Sequence, residues 1–245
     1  MKLSSGVTVL DIAVTVMNAP AVIYPVLLQD TTSTILVDSG YPGDSSLKQL
    51  TKALADSGVK LTDLTDVMLT HQDIDHIGGL RGLKILNPGL KIWAHVLEKP
   101  YVEGEKKLVK ISPAVLENLK KMPEEISKGL LYVFENPPTS PVDITVEDGQ
   151  HLDICGGITM IHTPGHTPGH ICLYLHASRT LIAGDALTAH EGTLLGPVPE
   201  HADDISQAMA SLEKLLAFDI DRIVCYHGGV VECGAARIKE IINEG

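Results

Sequence analysis

"HQDIDHIGG", residues 71–79, sets two histidines and two aspartates into six positions and follows them with two glycines. On a helix, His71 and His76 would point roughly 140° apart, and the i,i+4 histidine pair of a helical zinc motif is absent. An extended chain does better, because His71, Asp73 and Asp75 then share one side at period 2. His76 joins them if the chain turns there, which Gly78-Gly79 permits. Imidazole and carboxylate are donors that zinc, manganese and iron accept. The stretch therefore reads as a candidate metal site, against the alternative of a polar turn that solvates itself.

Working outward, the short apolar segment "DVMLT" (66–70) runs as a strand directly into His71. Before it, "VTVLDIAVTV" (7–16), "AVIYPVLLQD" (21–30) and "TSTILVDSG" (32–40) are β-branched and alternating, with turn-formers between them. "SSLKQLTKALADSG" (45–58) has helical spacing between a Ser cap and a Gly stop. After the motif come a short helix from about Gly78 and the strand "KIWAHV" (91–96). Residues 97–136 are Lys/Glu-rich and mostly helical, which suggests an insertion or lid. Strand patterns return in "DITVEDGQHLDI", "GITMIHT", "HICLYLHA" and "TLIAGD". A helix over 202–218, the strand "RIVCYH" and a terminal helix over 233–243 complete the chain. Strands followed by helix occur in both halves, so two β-layers with helices outside are expected. The whole of 1–245 reads as one domain.

A second histidine cluster, "HTPGHTPGH", spaces His162, His166 and His170 four apart. Pro164 and Pro168 forbid a regular helix, so this is a stiff loop after a strand. Such a loop can present one imidazole inward and use another as its hydrogen-bonded support; surface histidines in a Pro/Gly turn are the plainer account. Two further strands end on chemistry-bearing residues, "LIAGD" on Asp185 and "RIVCYHGG" on His227. Strand ends followed by loops are where ligands are placed at a sheet edge.

The order His-x-Asp-x-Asp-His, "TPGHTPGH", "AGD", "CYHGG" resembles the metallo-β-lactamase superfamily over nearly the whole chain, including "LVDSG" around Asp38. The resemblance implies an α+β fold, a four-layer αββα sandwich, with a dinuclear metal site on one edge between the sheets. It implies His71 and His166 on the first metal, Asp75, His76 and His227 on the second, and Asp185 bridging. His170 and Asp38 resemble supports of ligands rather than ligands. Asp73 departs, since the common pattern has histidine there. A carboxylate can occupy the same coordination position, which makes Asp73 a candidate ligand. Two divalent cations then bring four positive charges, against four negative ones from Asp73, Asp75, Asp185 and a bridging hydroxide. With histidine at 73 one net positive charge would remain. The third carboxylate weakens the metals as Lewis acids and favours hard ions. Two divalent ions are expected, zinc first, with manganese or iron also accommodated.

That centre implies hydrolysis by a dinuclear metal-bound hydroxide, with Asp75 as the catalytic residue that orients it and shuttles its proton. No GxSxG elbow suggests a protein nucleophile. A net charge of −12 argues against nucleic acid as partner and disfavours an anionic membrane surface. No apolar run reaches the roughly 18 residues of a spanning helix, and Asp11 interrupts the N-terminal stretch where a signal peptide would be apolar, so a cytoplasmic address is expected. Cys155, Cys172, Cys225 and Cys233 form no CxxC pair and read as reduced thiols. A small-molecule lactone or other carboxylic ester is the expected substrate, with phosphotriesters as side substrates. A glyoxalase II-like thioesterase is disfavoured because only about 18 residues follow His227. The third carboxylate keeps a di-iron oxidoreductase of the same superfamily as the rival. His190 and His201 lie in the loop after Asp185 and are expected to be solvated, and Tyr226 to pack in the core. The amphipathic "LVKISPAVLENL" covers the sheet or packs against a second subunit in a homodimer.

Overall fold

The computed structural model describes residues 1–16 and 19–244. The N-terminal half supplies β1 (Lys2–Ser4), β2 (Val7–Val9), the hairpin β3 (Ile12–Val16) and β4 (Ala19–Ile23), β5 (Val26–Gln29), β6 (Thr34–Val37), β7 (Asp66–Met68) and β8 (Lys91–His95). With β9 (Ile144–Val146) they form a seven-stranded sheet in the order β1-β2-β5-β6-β7-β8-β9, apart from the separate β3–β4 pair. The C-terminal half gives β10 (His151–Leu152), β11 (Ile158–His162), β12 (Ile171–Leu175), β13 (Thr180–Gly184), the hairpin β14 (Thr188–His190) and β15 (Thr193–Leu195), β16 (Arg222–Cys225) and β17 (Gly229–Val231). Six of these form the second sheet, β10-β11-β12-β13-β16-β17.

The layering follows from strand alternation. On β6, Ile35 and Val37 point into a core shared with Met160, Leu173 and Ile182 of the second sheet, while Leu36 points outward. That outer face is covered by α1 (Asp44–Asp56) through Leu50 and Leu54, and by α3 (Leu80–Leu86) through Leu80 and Leu83; α2 (Ile74–Ile77) precedes α3. The outer face of the second sheet carries Leu181, Ala183, Ile223 and Cys225. It packs with Ile238 and Ile241 of α8 (Ala235–Glu244) and with Met209 of α7 (Ile205–Ser211). The order is helix, sheet, sheet, helix, the expected αββα sandwich.

Residues 97–136 carry three helices, α4 (Lys99–Val102), α5 (Pro113–Lys120) and α6 (Glu124–Glu135). The helix expected over 202–218 is α7 followed by a tighter 3₁₀ stretch, Leu212–Ala217. Helix α1 starts from Gly43, so the expected Ser cap lies inside its first turn and makes no side-chain cap. Cys172 and Cys225 are buried, Cys155 and Cys233 half-buried, and all four are free thiols. No helix among the described residues is long and apolar enough to cross a membrane.

Candidate metal centre

Strands β6 and β7 run parallel, as do β13 and β16 in the other sheet. Their C-terminal ends meet at one edge of the sandwich. Asp38 follows β6, Thr70 and His71 follow β7, Asp185 follows β13 and His227 follows β16. The Ile171 N–H donates to the Thr70 carbonyl at 3.0 Å and ties the sheets together there.

The 71–79 motif is only partly extended. Asp73 has β geometry, but Asp75 and His76 lie on the single turn of α2. The period-2 expectation therefore holds for His71 and Asp73 and fails for Asp75, which reaches the site because the helical turn swings it and His76 round together. Asp73 sits at the N-cap of α2 yet caps nothing, because its carboxylate faces the histidines instead. Gly78 and Gly79 also act differently from the expectation. Both have right-handed helical backbone angles, so no special conformation is needed. A Cβ at Gly79 would stand 2.2 Å from the Ser39 carbonyl oxygen, and one at Gly78 would stand 2.3 Å from the Pro42 nitrogen. The glycines are there for close approach of the 39–42 loop.

Two groups of donors result, each with its atoms within 4.8 Å of one another: His71, Asp73, His166 and Asp185, and beside it Asp75, His76 and His227. In the first, Asp73 Oδ2 is 3.2 Å from His71 Nε2 and 3.0 Å from His166 Nε2, and Asp185 Oδ2 is 3.4 Å from His166 Nε2. In the second, His227 Nε2 lies 3.1 Å from Asp75 Oδ2. Asp185 also reaches this group, at 3.4 Å from His76 Nε2 and 3.5 Å from His227 Nε2. One carboxylate thus touches both groups. The donor set fits divalent metal. His71 Nε2, His76 Nε2 and Asp185 Oδ1 are fully buried, point into the cluster and make no hydrogen bond, which is costly for polar atoms unless something else satisfies them.

The supports are in place behind these atoms. Asp38, buried and at the left-handed φ of 63°, accepts hydrogen bonds from Thr70 N–H at 2.9 Å and the Thr70 hydroxyl at 2.8 Å, and lies 2.9 Å from His76 Nδ1. Strain of that kind persists where the surroundings over-determine it. His170 is bonded through Nδ1 to the Thr163 hydroxyl, and its Nε2 accepts the Asp185 N–H at 3.1 Å, so it fixes the Asp185 backbone. His162 turns away and stacks on His95 at 4.2 Å. His190 and His201 are exposed, as expected.

The electrostatics are those of a compact, buried array of alternating charge. Burial and the neighbouring His76 depress His71 to about 4, against the pull of Asp73. Burial acts to lower His76 and His227 too, but Asp185, Asp38 and Asp75 outweigh it at His76, which lies well above the histidine range. Asp185 and Asp75 do the same at His227, raised to about 10. Burial pushes Asp73 and Asp185 up, and their cationic neighbours override it and hold both well below the carboxylate range.

Four residues escaped the sequence. Lys110, from the turn between α4 and α5, donates to Asp73 Oδ2 and stands 2.6 Å from His166 Nε2. Tyr226 is more than core packing: its ring lies 3.8 Å from His76, and its hydroxyl donates to the Asp75 carbonyl at 2.6 Å. Tyr41 faces the Asp75 carboxylate, and burial first, then that carboxylate, raise its pKa. Glu98 is fully buried behind the site, accepting the Gly169 N–H at 2.6 Å, and burial raises it to about 7. Position in sequence hints at only two of them, Tyr41 three residues past Asp38 and Tyr226 next to His227.

The family model for the metallo-beta-lactamase superfamily matches residues 20–227. Two Bacillus subtilis proteins named probable metallo-hydrolases are similar. YqjP is 24% identical over 220 residues, covering 84% of this chain and 67% of its own. YflN is 28% identical over 216 residues, covering 80% and 75%. The lactamase-like protein aptB of Emericella nidulans is 24% identical, and this chain spans 52% of it. Among solved structures, the metallo-beta-lactamase family protein TTHA1429 from Thermus thermophilus superposes with a TM-score of 0.75 at 22% identity, covering 99% of this chain and 80% of that one. The archaeal superfamily protein ST1585 from Sulfolobus tokodaii gives 0.65 at 21%, covering 98% and 85%. The structural likeness is one of fold, and the family match spans most of the chain: this protein belongs to the metallo-beta-lactamase superfamily.

Proposed function

We propose that this protein is a metal-dependent hydrolase of a small-molecule ester, a lactone or other carboxylic ester first and phosphotriesters second. The observation that carries the reading is the pair of donor groups joined by Asp185, with His71 Nε2, His76 Nε2 and Asp185 Oδ1 buried, without hydrogen-bond partners and turned inward. His71, Asp73 and His166 would hold one divalent ion, Asp75, His76 and His227 the other, and Asp185 would serve both. Such ions, zinc first and manganese or iron also suited, supply Lewis acidity towards a water and towards the electrophile's oxygen.

The protein's own part is to place charge and move a proton. Asp75 takes the proton of the attacking water and returns it to the leaving alkoxide. It is held for this by two contacts: His227 beside its Oδ2 and the Tyr226 hydroxyl on its carbonyl. Tyr41, half-buried with its proton held firmly, is a donor at neutral pH and can offer a hydrogen bond to the oxyanion that develops. Asp38 fixes the ring of His76, and His170 fixes the backbone of Asp185, so the array is set before substrate arrives.

The test is metal analysis with an activity panel of lactone, aryl ester, thioester, β-lactam and phosphotriester. With metal in excess the protein is expected to hold about two ions per chain and to hydrolyse the lactone or aryl ester. His166→Ala removes hydrolysis and lowers the metal content. Asp73 gives the rival reading a specific footing, since a third carboxylate suits iron. Tightly bound iron with redox-active spectra and no hydrolysis of any panel member would replace the hydrolase reading with a di-iron oxidoreductase.

A further inference from the structure

Lys110 has no part in the chemistry just described, yet it is fixed in the first donor group. It occupies a turn closed by the Ile111 N–H donating to the Leu108 carbonyl at 3.0 Å. The turn is anchored on both sides, because Leu108 is buried in the core under the first sheet and Ile111 packs against that core. At its tip the Val109 N–H donates to Gln72 Oε1 at 2.8 Å. Gln72 is itself fully buried, and it lies in the chain between His71 and Asp73. The motif thus grips the very turn that delivers the lysine to it.

An ammonium has three donors and no acceptor. At 2.6 Å from Lys110 Nζ, His166 Nε2 is therefore its acceptor in the tautomer protonated at Nδ1, offering the same lone pair that a metal would take. The second contact goes to Asp73 Oδ2, the oxygen nearest both His71 and His166. Charge points the same way. The Asp73 carboxylate and the Lys110 ammonium together carry the charge of one neutral imidazole, the group for which Asp73 stands in. Among the described residues, Lys110 bonds no member of the second group, Asp75, His76 or His227.

We propose that Lys110 is a resident cation of the first donor group. It neutralises Asp73, engages the lone pair of His166 and must be displaced before a divalent metal is held there, so the Asp75–His76–His227 group fills first. The proposal rests on the metal-centre reading above. It makes the two positions unequal: the second binds tightly, and the first binds in competition with a tethered ammonium.

The experiment is calorimetric titration of chelator-stripped protein with Zn²⁺ alone, and separately with Mn²⁺ alone, for wild type, Lys110→Met, Lys110→Arg and His166→Ala. Circular dichroism checks that each variant is folded. Wild type is expected to show two classes of site, and His166→Ala to lose the weaker one. Lys110→Met removes the positive charge at similar length and should tighten the weaker class by about tenfold or more, leaving the tighter class unchanged. Lys110→Arg keeps the charge and should behave as wild type. If Lys110→Met leaves both classes unchanged, or loosens the weaker one, the lysine is not a competitor and the proposal fails. Loss of the tighter class in His166→Ala would reverse the order of filling and sink it equally. Wild type that takes up neither metal would overturn the metal centre itself, an outcome separate from these.

Discussion

Glu98 is a carboxyl group sealed inside the protein, and replacing it with glutamine should make the protein more stable in a manner that depends on pH. In the fold its pKa lies near 7, chiefly because burial opposes the charged form; the Gly169 N–H only partly offsets this. The unfolded chain releases the same proton near its ordinary value of 4.5. Between those limits the folded state binds the proton and the unfolded state does not. The neutral acid's contribution is therefore fully present below about pH 4.5 and is lost as pH rises through about 7. Above that, ionised Glu98 costs about 3 kcal/mol. A glutamine amide in its place cannot ionise and still accepts from Gly169. Glu98→Gln should thus match wild type near pH 4.5 and exceed it by about 3 kcal/mol at pH 8.5, or very roughly 6–12 °C in Tm for a chain of this size. Urea denaturation of both proteins across that range, in identical buffers, isolates the group, because all other titrations are shared. A difference that stays constant with pH would refute the reasoning, since it would mean that Glu98 is ionised or neutral throughout.

Gly79→Ala is expected to destabilise by about 2 kcal/mol or more, because its methyl would meet the Ser39 carbonyl at 2.2 Å; chemical denaturation checks it, and a neutral result would mean that the 39–42 loop moves freely aside. Metal uptake at pH 7 should release about two protons, because His76 and His227 are both held protonated in the metal-free cluster and must lose those protons to bind. Affinity then rises with pH through about 10, where His227 gives up its proton. Titration calorimetry in two buffers of different ionisation enthalpy measures the release, and buffer-independent heats would contradict it. Asp73→His should keep the fold and shift metal preference towards zinc, read by competitive loading with zinc and manganese; an unchanged profile would show that Asp73 is not a ligand.

The centre was legible in part because three of its residues, His71, Asp185 and His227, come just after strand ends. Asp185 and His227 each close an apolar run, and an apolar run ending in one polar group is visible without any structure. The layers were legible for a similar reason: alternation on strands such as β6 separates the two faces. Helix α2 was not, since four residues are too few to show a period, and the motif around it is polar for chemical rather than conformational reasons. Lys110 was hidden by its company. It lies 37 residues from Asp73, in a stretch where other lysines serve as ordinary solvated charges, and only the Gln72 contact distinguishes it. Glu98 was hidden in the same Lys/Glu-rich composition, which disguises a buried acid as a surface one.

The candidate ligands divide between the two halves of the chain: His71, Asp73, Asp75 and His76 come from the first, and His166, Asp185 and His227 from the second. Each donor group draws from both. Filling either one ties residues from separate sheets into a single closure spanning some ninety residues or more, as a disulfide would, but one that a chelator can open. Folding stability and metal supply are then linked, and the halves should unfold as one unit when loaded and more independently when stripped. On the proposed reading, the edge that assembles the chemistry would also be a reversible staple for the sandwich.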